Sequence, residues 1–319
     1  MAEALSRIAS WVEERCGIIF PRDRIKVEEY ENPRGNLSYQ ARLTYTGPLR
    51  LARRNLQKIK FDITQDEVLA TDPELREIHH PYPDQADPPA RAKTYSLEEV
   101  LAEKSRALYE RQGRARDVYD VVHLSRAFRD TIDRAKARQC VESKFAFKGI
   151  GAPTVAGIVG RIDQDVLKAN WDHQLGHQLP ALPPVDGFID ELEGALRWWL
   201  EPAAARPPAE PVPAKSGETL VERVFFPSYQ SFAAGRSHLE TVRFAARNRL
   251  CVRLGYHGHE QLVEPYSLRL PRTGNELLYV HERTKDGFPV EDIRAYKLDE
   301  IESAATTNIP FTPRWRVEL

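Results

Sequence analysis

Residues Leu56 to Glu67 read LQKIKFDITQDE, and the centre of that stretch, KIKFDIT, alternates apolar and polar residues. Ile59, Phe61 and Ile63 fall on one face of a strand and Lys60, Asp62 and Thr64 on the other. Two isoleucines and a phenylalanine favour the assignment, whereas an aspartate in mid-strand is disfavoured. Asp62 is either a solvated residue on a one-sided sheet or a carboxylate kept there for chemistry.

Two further strand-like runs precede it, RIKVEEYE from Arg24 and LSYQARLTYT from Leu37, joined by the turn ENPRGN. Leu5, Ile8 and Val12 recur at helical spacing and Gly17 stops that helix. The N-terminal part therefore reads as one helix and a small antiparallel sheet. After His79 the proline-rich segment HHPYPDQADPPARAKT reads as loop. A helix starts at Ser96, where Ser96 and Glu99 have the spacing of a capping box. It runs to about Arg111, and RDVYDVVHLSRAF is the next. Helices are also expected around Asp130–Glu142, Val166–Gln174 and from Val185 through VDGFIDELEGALRWWLE.

The segment 201–218, EPAAARPPAEPVPAKSGE, is rich in Pro and Ala without apolar periodicity and reads as a semi-rigid linker. Beyond it, a helix (HLETVRFAARNR) precedes four strand-like runs, CVRLGY, QLVEPYSLRL, ELLYVHE and IRAYKL, punctuated by turn signals. The expected organisation is α+β, with one domain over 1–200, the linker over 201–218 and a small, mostly β domain over 219–319.

The chain has 319 residues, 41% of them hydrophobic, and a formal charge of −1. A balanced charge excludes a global pull toward nucleic acid or anionic lipid, so any such binding comes from a local patch. Cys16, Cys140 and Cys251 are too scattered for a disulfide framework or a CxxC site, which fits a reducing cytoplasm. The N-terminus is charged throughout, unlike a signal peptide, and no run approaches the ~20 apolar residues of a membrane span.

The chemistry-bearing cluster lies in AEKSRALYERQGRARDVYDVV. Lys104 and Arg111 stand at i and i+7, with the small Ala107 and Leu108 between them on that face. Arg116, Asp117 and Asp120 follow at the next helix start, where Asp117 meets the positive end of the helix dipole and Arg116 can pair with Asp120 at i, i+4.

KIKFDIT followed by SLEEVLAEKSRALYERQGRARDVYDVVHL resembles the AbiEii/AbiGii toxin family of nucleotidyltransferases, in the DNA polymerase β-like superfamily. The resemblance runs from about Arg24 to Leu200. It implies NMP transfer from an NTP to a hydroxyl of RNA (tRNA) or protein, with Mg²⁺ as cofactor, in a toxin–antitoxin or phage-defence setting. Carried over residue by residue, Asp62 ligates metal or takes the acceptor's proton. Lys104, in the motif Lys104-Ser105-Arg106-Ala107, holds phosphate, with Arg111 and Arg116 beside it. Asp117 or Asp120 in RDxYD completes the site. A two-metal mechanism uses hard oxygen ligands to clamp attacking and leaving oxygens. The family's Gly-Gly/Ser-Thr turn and DxD-type pair have no counterpart between Met1 and Ile59. Asp163-Gln164-Asp165 comes too late in the order and stands at a helix start, where Asp is a common cap. The expectation is that an antitoxin or an upstream subunit is a partner, the latter supplying the missing motif. The alternative is a non-catalytic regulator with a degenerate fold.

RLCVRLGYHGHEQLVEPYSLRLPRTGNELLYVHE with DIRAYKLDEIES looks like a WYL-type domain, which implies an Sm-like barrel that senses a ligand or nucleic acid. Leu254-Gly255-Tyr256 replaces the eponymous triplet. Arg253, Tyr256, Arg269, Arg272 and Arg294 are the candidate ligand residues, expected to converge on one face as a stacking and phosphate-contacting mix. His173 and His177 have metal-ligand spacing, but no zincin glutamate accompanies them and Gly176 weakens the helix.

Overall fold

The computed structural model describes residues 1–31, 35, 37–47, 56–64, 66–78, 87–202, 215–221, 238–272 and 274–319. Most of the ENPRGN turn, His79-His80 and the span 203–214 of the expected linker lie outside them. The chain divides into two compact units, Met1–Val68 and Leu69–Leu319.

In the first unit, helix α1 (Ala2–Cys16) ends where Gly17 turns left-handed at φ 65° and donates its N–H to the Glu13 carbonyl. Strands β1 (Lys26–Glu31), β2 (Leu37–Tyr45) and β3 (Gln57–Thr64) form an antiparallel sheet in that order. Leu5 and Ala9 of α1 pack with Phe20, Ala41 and Leu43. The register sets Phe61 opposite Ala41 and Ile59 opposite Leu43, so the alternation seen in KIKFDIT is the side-chain alternation of β3. The half-buried strand expected there is, however, more open: Ile59 is 42% exposed and Phe61 37%. The core of this unit is centred on α1 and β2, and β3, like β1, is an end strand of the sheet.

The second unit opens with a ladder between β4 (Glu74–Glu77) and β5 (Arg91–Thr94). This corrects the reading of the whole proline-rich segment as loop, because its last residues pair back across the prolines. Six helices follow: α2 (Leu97–Glu110), α3 (Ala115–Ala127), α4 (Arg134–Phe147), α5 (Val155–Val159), α6 (Gln164–Leu175) and α7 (Val185–Leu200). Their apolar stripes meet in one core around Leu101, Val118, Val121, Val141, Phe145, Leu196 and Trp199. Helix α4 starts four residues later than expected because Asp133 caps it, accepting from the Ala135 and Lys136 amides at 2.8 and 3.2 Å. Asp163 likewise caps α6, accepting from Asp165 and Val166 at 3.1 and 3.0 Å.

Ser96 is the N-cap of α2 and accepts from the Glu99 amide at 3.2 Å. Glu99 does not return the bond to Ser96. Its carboxylate accepts from the amides of Ala70 and Thr71 instead, at 2.9 and 3.3 Å. Removing the cap hydroxyl with Ser96→Ala is expected to cost about 1 kcal/mol in urea denaturation, since one helix N–H loses its acceptor.

After β6 (Thr219–Leu220), helix α8 (His238–Asn248) leads into β7 (Leu250–Tyr256), β8 (His259–Leu270), β9 (Leu277–Lys285), β10 (Phe288–Lys297) and β11 (Ile301–Pro310). The antiparallel order is β10-β9-β8-β7-β11, with β6 beside β8. Asp286 and Gly287, at φ 50° and 81°, make the β9–β10 turn that the Asp-Gly pair predicts. Among the described residues no pairing joins β10 to β11, so the ladder is open where a closed barrel was expected. Strand β11 was not read from the sequence. Leu239, Val242 and Ala245 of α8 cover one face of the sheet, and Phe311, Trp315 and Val317 of the C-terminal tail cover the other. Phe244 packs against both the sheet core and the helical core.

Candidate functional site

The turn between α2 and α3 brings four sequence-predicted residues together. Gln112 and Gly113 adopt left-handed conformations, φ 54° and 84°, which fold α3 back beside α2. A Cβ on Gly113 would lie 2.5 Å from Ile162 Cγ2. Gly113→Ala therefore meets both a strained φ and a clash, and is expected to cost about 1–3 kcal/mol, read as a lowered calorimetric Tm.

With α3 so placed, Lys104 Nζ lies 2.6 Å from Asp120 Oδ2 and 3.6 Å from Asp117 Oδ1. Arg111 Nη1 lies 3.6 Å from Asp117 Oδ2. Asp117 is buried, while the Lys104 side chain is one-third exposed (33%) and Arg111 about half (53%). The cluster thus opens to solvent through its cations. Ala107 and Leu108, between the two cations in sequence, are buried and anchor α2.

Two carboxylates share one ammonium here. Burial pushes Lys104 down, but Asp120 and Asp117 more than offset it, and its ammonium is held above the usual lysine range. Burial pushes the Asp120 carboxyl up, the Asp117 charge adds to that, and Lys104 offsets only part. The Asp120 carboxyl is thereby held above the ordinary aspartate range.

Arg116 does not pair with Asp120 as its i, i+4 spacing suggested. Its Nε donates to the Gln174 carbonyl at 3.3 Å, across to the end of α6. Asp62 belongs to the other unit. It stands on the polar face of β3, opposite Gln40 and exposed.

A second charged cluster escaped the sequence reading. Lys144 Nζ of α4 lies 2.9 Å from Glu99 Oε1, and both side chains are buried. Glu103 Oε2 lies 3.8 Å from the same ammonium. The signal was present: Ala137, Val141 and Lys144 follow the apolar spacing of α4, so a lysine stands in a core stripe.

The five candidates in the C-terminal sheet do not converge. Arg253 alternates with the core residues Val252 and Leu254, and Arg269 with Leu268, so both point away from that core. Tyr256 packs on the same core, and Arg294 pairs in register with its Val280. Two candidates thus lie on each face. Most are also engaged. Arg253 pairs with Glu260 at 3.3 Å, and Arg269 with Glu318 in a buried bridge. Arg294 pairs with Asp292 and Glu282 at 3.1 and 3.4 Å, and the Tyr256 hydroxyl donates to Glu300 at 2.6 Å. Arg272 lies over Gly217 beyond the strands. His173 is exposed, and His177 lies past the end of α6 at Leu175.

Among the described residues no three His, Cys, Asp or Glu side chains are grouped to hold a cation. Asp117 and Asp120 are already turned to Lys104 and Arg111, and a metal between them would compete with those cations. Among the described residues the carboxylates do not fit a two-metal site. No described helix is long and apolar enough to cross a membrane.

Residues 1–201 match the family model described as "AbiEii: Nucleotidyl transferase AbiEii toxin, Type IV TA system". No curated protein and no solved structure matches the chain.

Proposed function

The chain belongs to the AbiEii family of nucleotidyl transferase toxins, and from that premise we propose that it transfers an NMP from an NTP to a hydroxyl of RNA, tRNA in particular, or of protein. The family implies an antitoxin partner, an NTP substrate and a divalent metal. In this reading 1–200 is the nucleotidyltransferase part and 219–319 a WYL-like sensing part for a ligand or nucleic acid, and the chain works in the cytoplasm, where NTPs are available.

The observation that carries the reading is the Lys104–Asp117–Asp120 cluster with its cations toward solvent. Lys104 holds the triphosphate and offsets the charge that grows on the departing pyrophosphate. Asp120 and Asp117 fix the direction of that ammonium. Arg111 is the more exposed cation and stands 3.6 Å from Asp117, a loose pairing that frees it for phosphate. Arg116, in the first turn of α3, is the further phosphate candidate, and its Nε is engaged by the Gln174 carbonyl. Asp62, on an open strand face, is the acceptor's base or a metal ligand, completed by carboxylates from an upstream subunit.

The test is incubation of the full chain with each labelled NTP, Mg²⁺ and total tRNA, alone and with the product of any upstream gene. Label moved to RNA or protein supports transfer. No label in either condition favours the alternative of a non-catalytic regulator.

A further inference from the structure

Helix α3 has a second face in use. Tyr119, His123 and Arg126 stand at i, i+4 and i+7, on a face turned away from Asp117. Tyr119 is buried and stacked between His123 and Phe188, with ring centroids 5.3 and 5.2 Å away and planes within 12° and 18°. Its hydroxyl donates to Asn248 Oδ1 at 3.0 Å. Asn248 is the last residue of α8 and is itself buried, with its Nδ2 donating to the Phe244 carbonyl at 2.9 Å. Arg126 adds a bond from Nη1 to the Arg247 carbonyl at 3.1 Å and an ion pair with Glu191 at 2.9 Å.

Helix α3 is therefore held from both sides, by Lys104 on one and by α8 on the other. Asn248 is fixed by its own helix and, after Arg249, the chain enters β7. A buried side-chain hydrogen bond with both ends fixed by packing sets a rotation as well as a distance. Rotation of α3 about its axis is the motion that would carry Asp117 and Asp120 off Lys104.

We infer that Tyr119 and Asn248 are positioning residues, whose hydrogen bond sets the rotation of α3 and so holds Asp117 and Asp120 against Lys104. The inference rests on the reading of the Lys104 cluster as the phosphate site. It makes the C-terminal part a structural contributor to that site.

Tyr119→Phe keeps the stacked ring and removes only the hydroxyl. In the full chain, the carboxyl carbon of Asp120, followed by ¹³C NMR, titrates closer to the ordinary aspartate range in this variant than in wild type, because a rotated α3 exposes it to water. Affinity for trinitrophenyl-ATP falls about five- to tenfold, the scale of one lost hydrogen bond. Asn248→Ala reproduces both changes. Ile158→Val, a cavity in the same helical core, lowers Tm and moves neither. An Asp120 titration in Tyr119→Phe that matches wild type, or one that Ile158→Val moves as much, overturns the inference. Wild type that binds no trinitrophenyl-ATP overturns the phosphate reading instead, and the titration alone then judges the positioning.

Discussion

On the proposed function, Lys104→Ala is expected to reduce nucleotidyl transfer by a factor of about 10²–10³, the loss typical when one preorganised charge is removed from a developing anion. Arg111, the next cation, pairs only loosely with the far oxygen of Asp117 and makes its own phosphate contact, so it adds to Lys104 and does not stand in for it. The substitution also leaves a buried Asp117 beside an Asp120 whose carboxyl is already raised by burial. Both carboxyls then lose their shared ammonium, and the pair becomes a like-charge contact. The measurement is label transfer from NTP at saturating acceptor, with circular dichroism to show that the variant is folded. Transfer at the wild-type rate by a folded Lys104→Ala protein would remove the cluster from the mechanism.

Lys144→Ala is expected to have the largest effect on stability, about 3–5 kcal/mol in urea denaturation. The ammonium and the Glu99 carboxylate are both buried, 2.9 Å apart. Removing the lysine strands a carboxylate that keeps, among the described residues, the Ala70 and Thr71 donors. The loss is large against the 5–15 kcal/mol that holds a typical domain. Lys144→Met combined with Glu99→Gln recovers most of it, because no charge is then left buried. The pH dependence follows from Glu99. Burial raises its carboxyl, but the Ala70 amide, Lys144 and Thr71 together outweigh that and hold it below the ordinary value of 4.5. Its stabilising contribution is therefore present above pH about 4.5 and lost as pH falls through the lower folded value. The gap between wild type and Lys144→Ala narrows over that acid range. A gap that stays constant from pH 7 to 3 would show that the pair contributes nothing through charge.

Much of this was legible in residue spacing. The alternation in KIKFDIT names β3, and Ser96 with the helical run after it names α2. Lys104, Asp117 and Asp120 were singled out through the resemblance of their motifs, while helical spacing linked Lys104 only to Arg111; the turn at Gln112-Gly113 is what brings the three together. What failed was decided at long range. Arg116 takes a carbonyl on α6, and no local rule anticipates that partner. Glu99 left its capping box for Ala70, Thr71 and Lys144 because a buried carboxylate is better satisfied by several fixed donors than by one frayed amide. The ladder of Glu74–Glu77 with Arg91–Thr94 pairs across a segment whose prolines read as loop. The arginines of the C-terminal sheet erred differently. Arg253 and Tyr256 are an odd number of residues apart on one strand, so parity alone assigns them to opposite faces.

Phe244 has a consequence for how such a protein can change over generations. One ring serves the interior of the helical body and the interior of the sheet at once. A recombination event that exchanged everything after the Pro/Ala-rich stretch for an unrelated module would unroof the helical body at that point. The two parts can be inherited together or redesigned together, but they are not interchangeable cassettes.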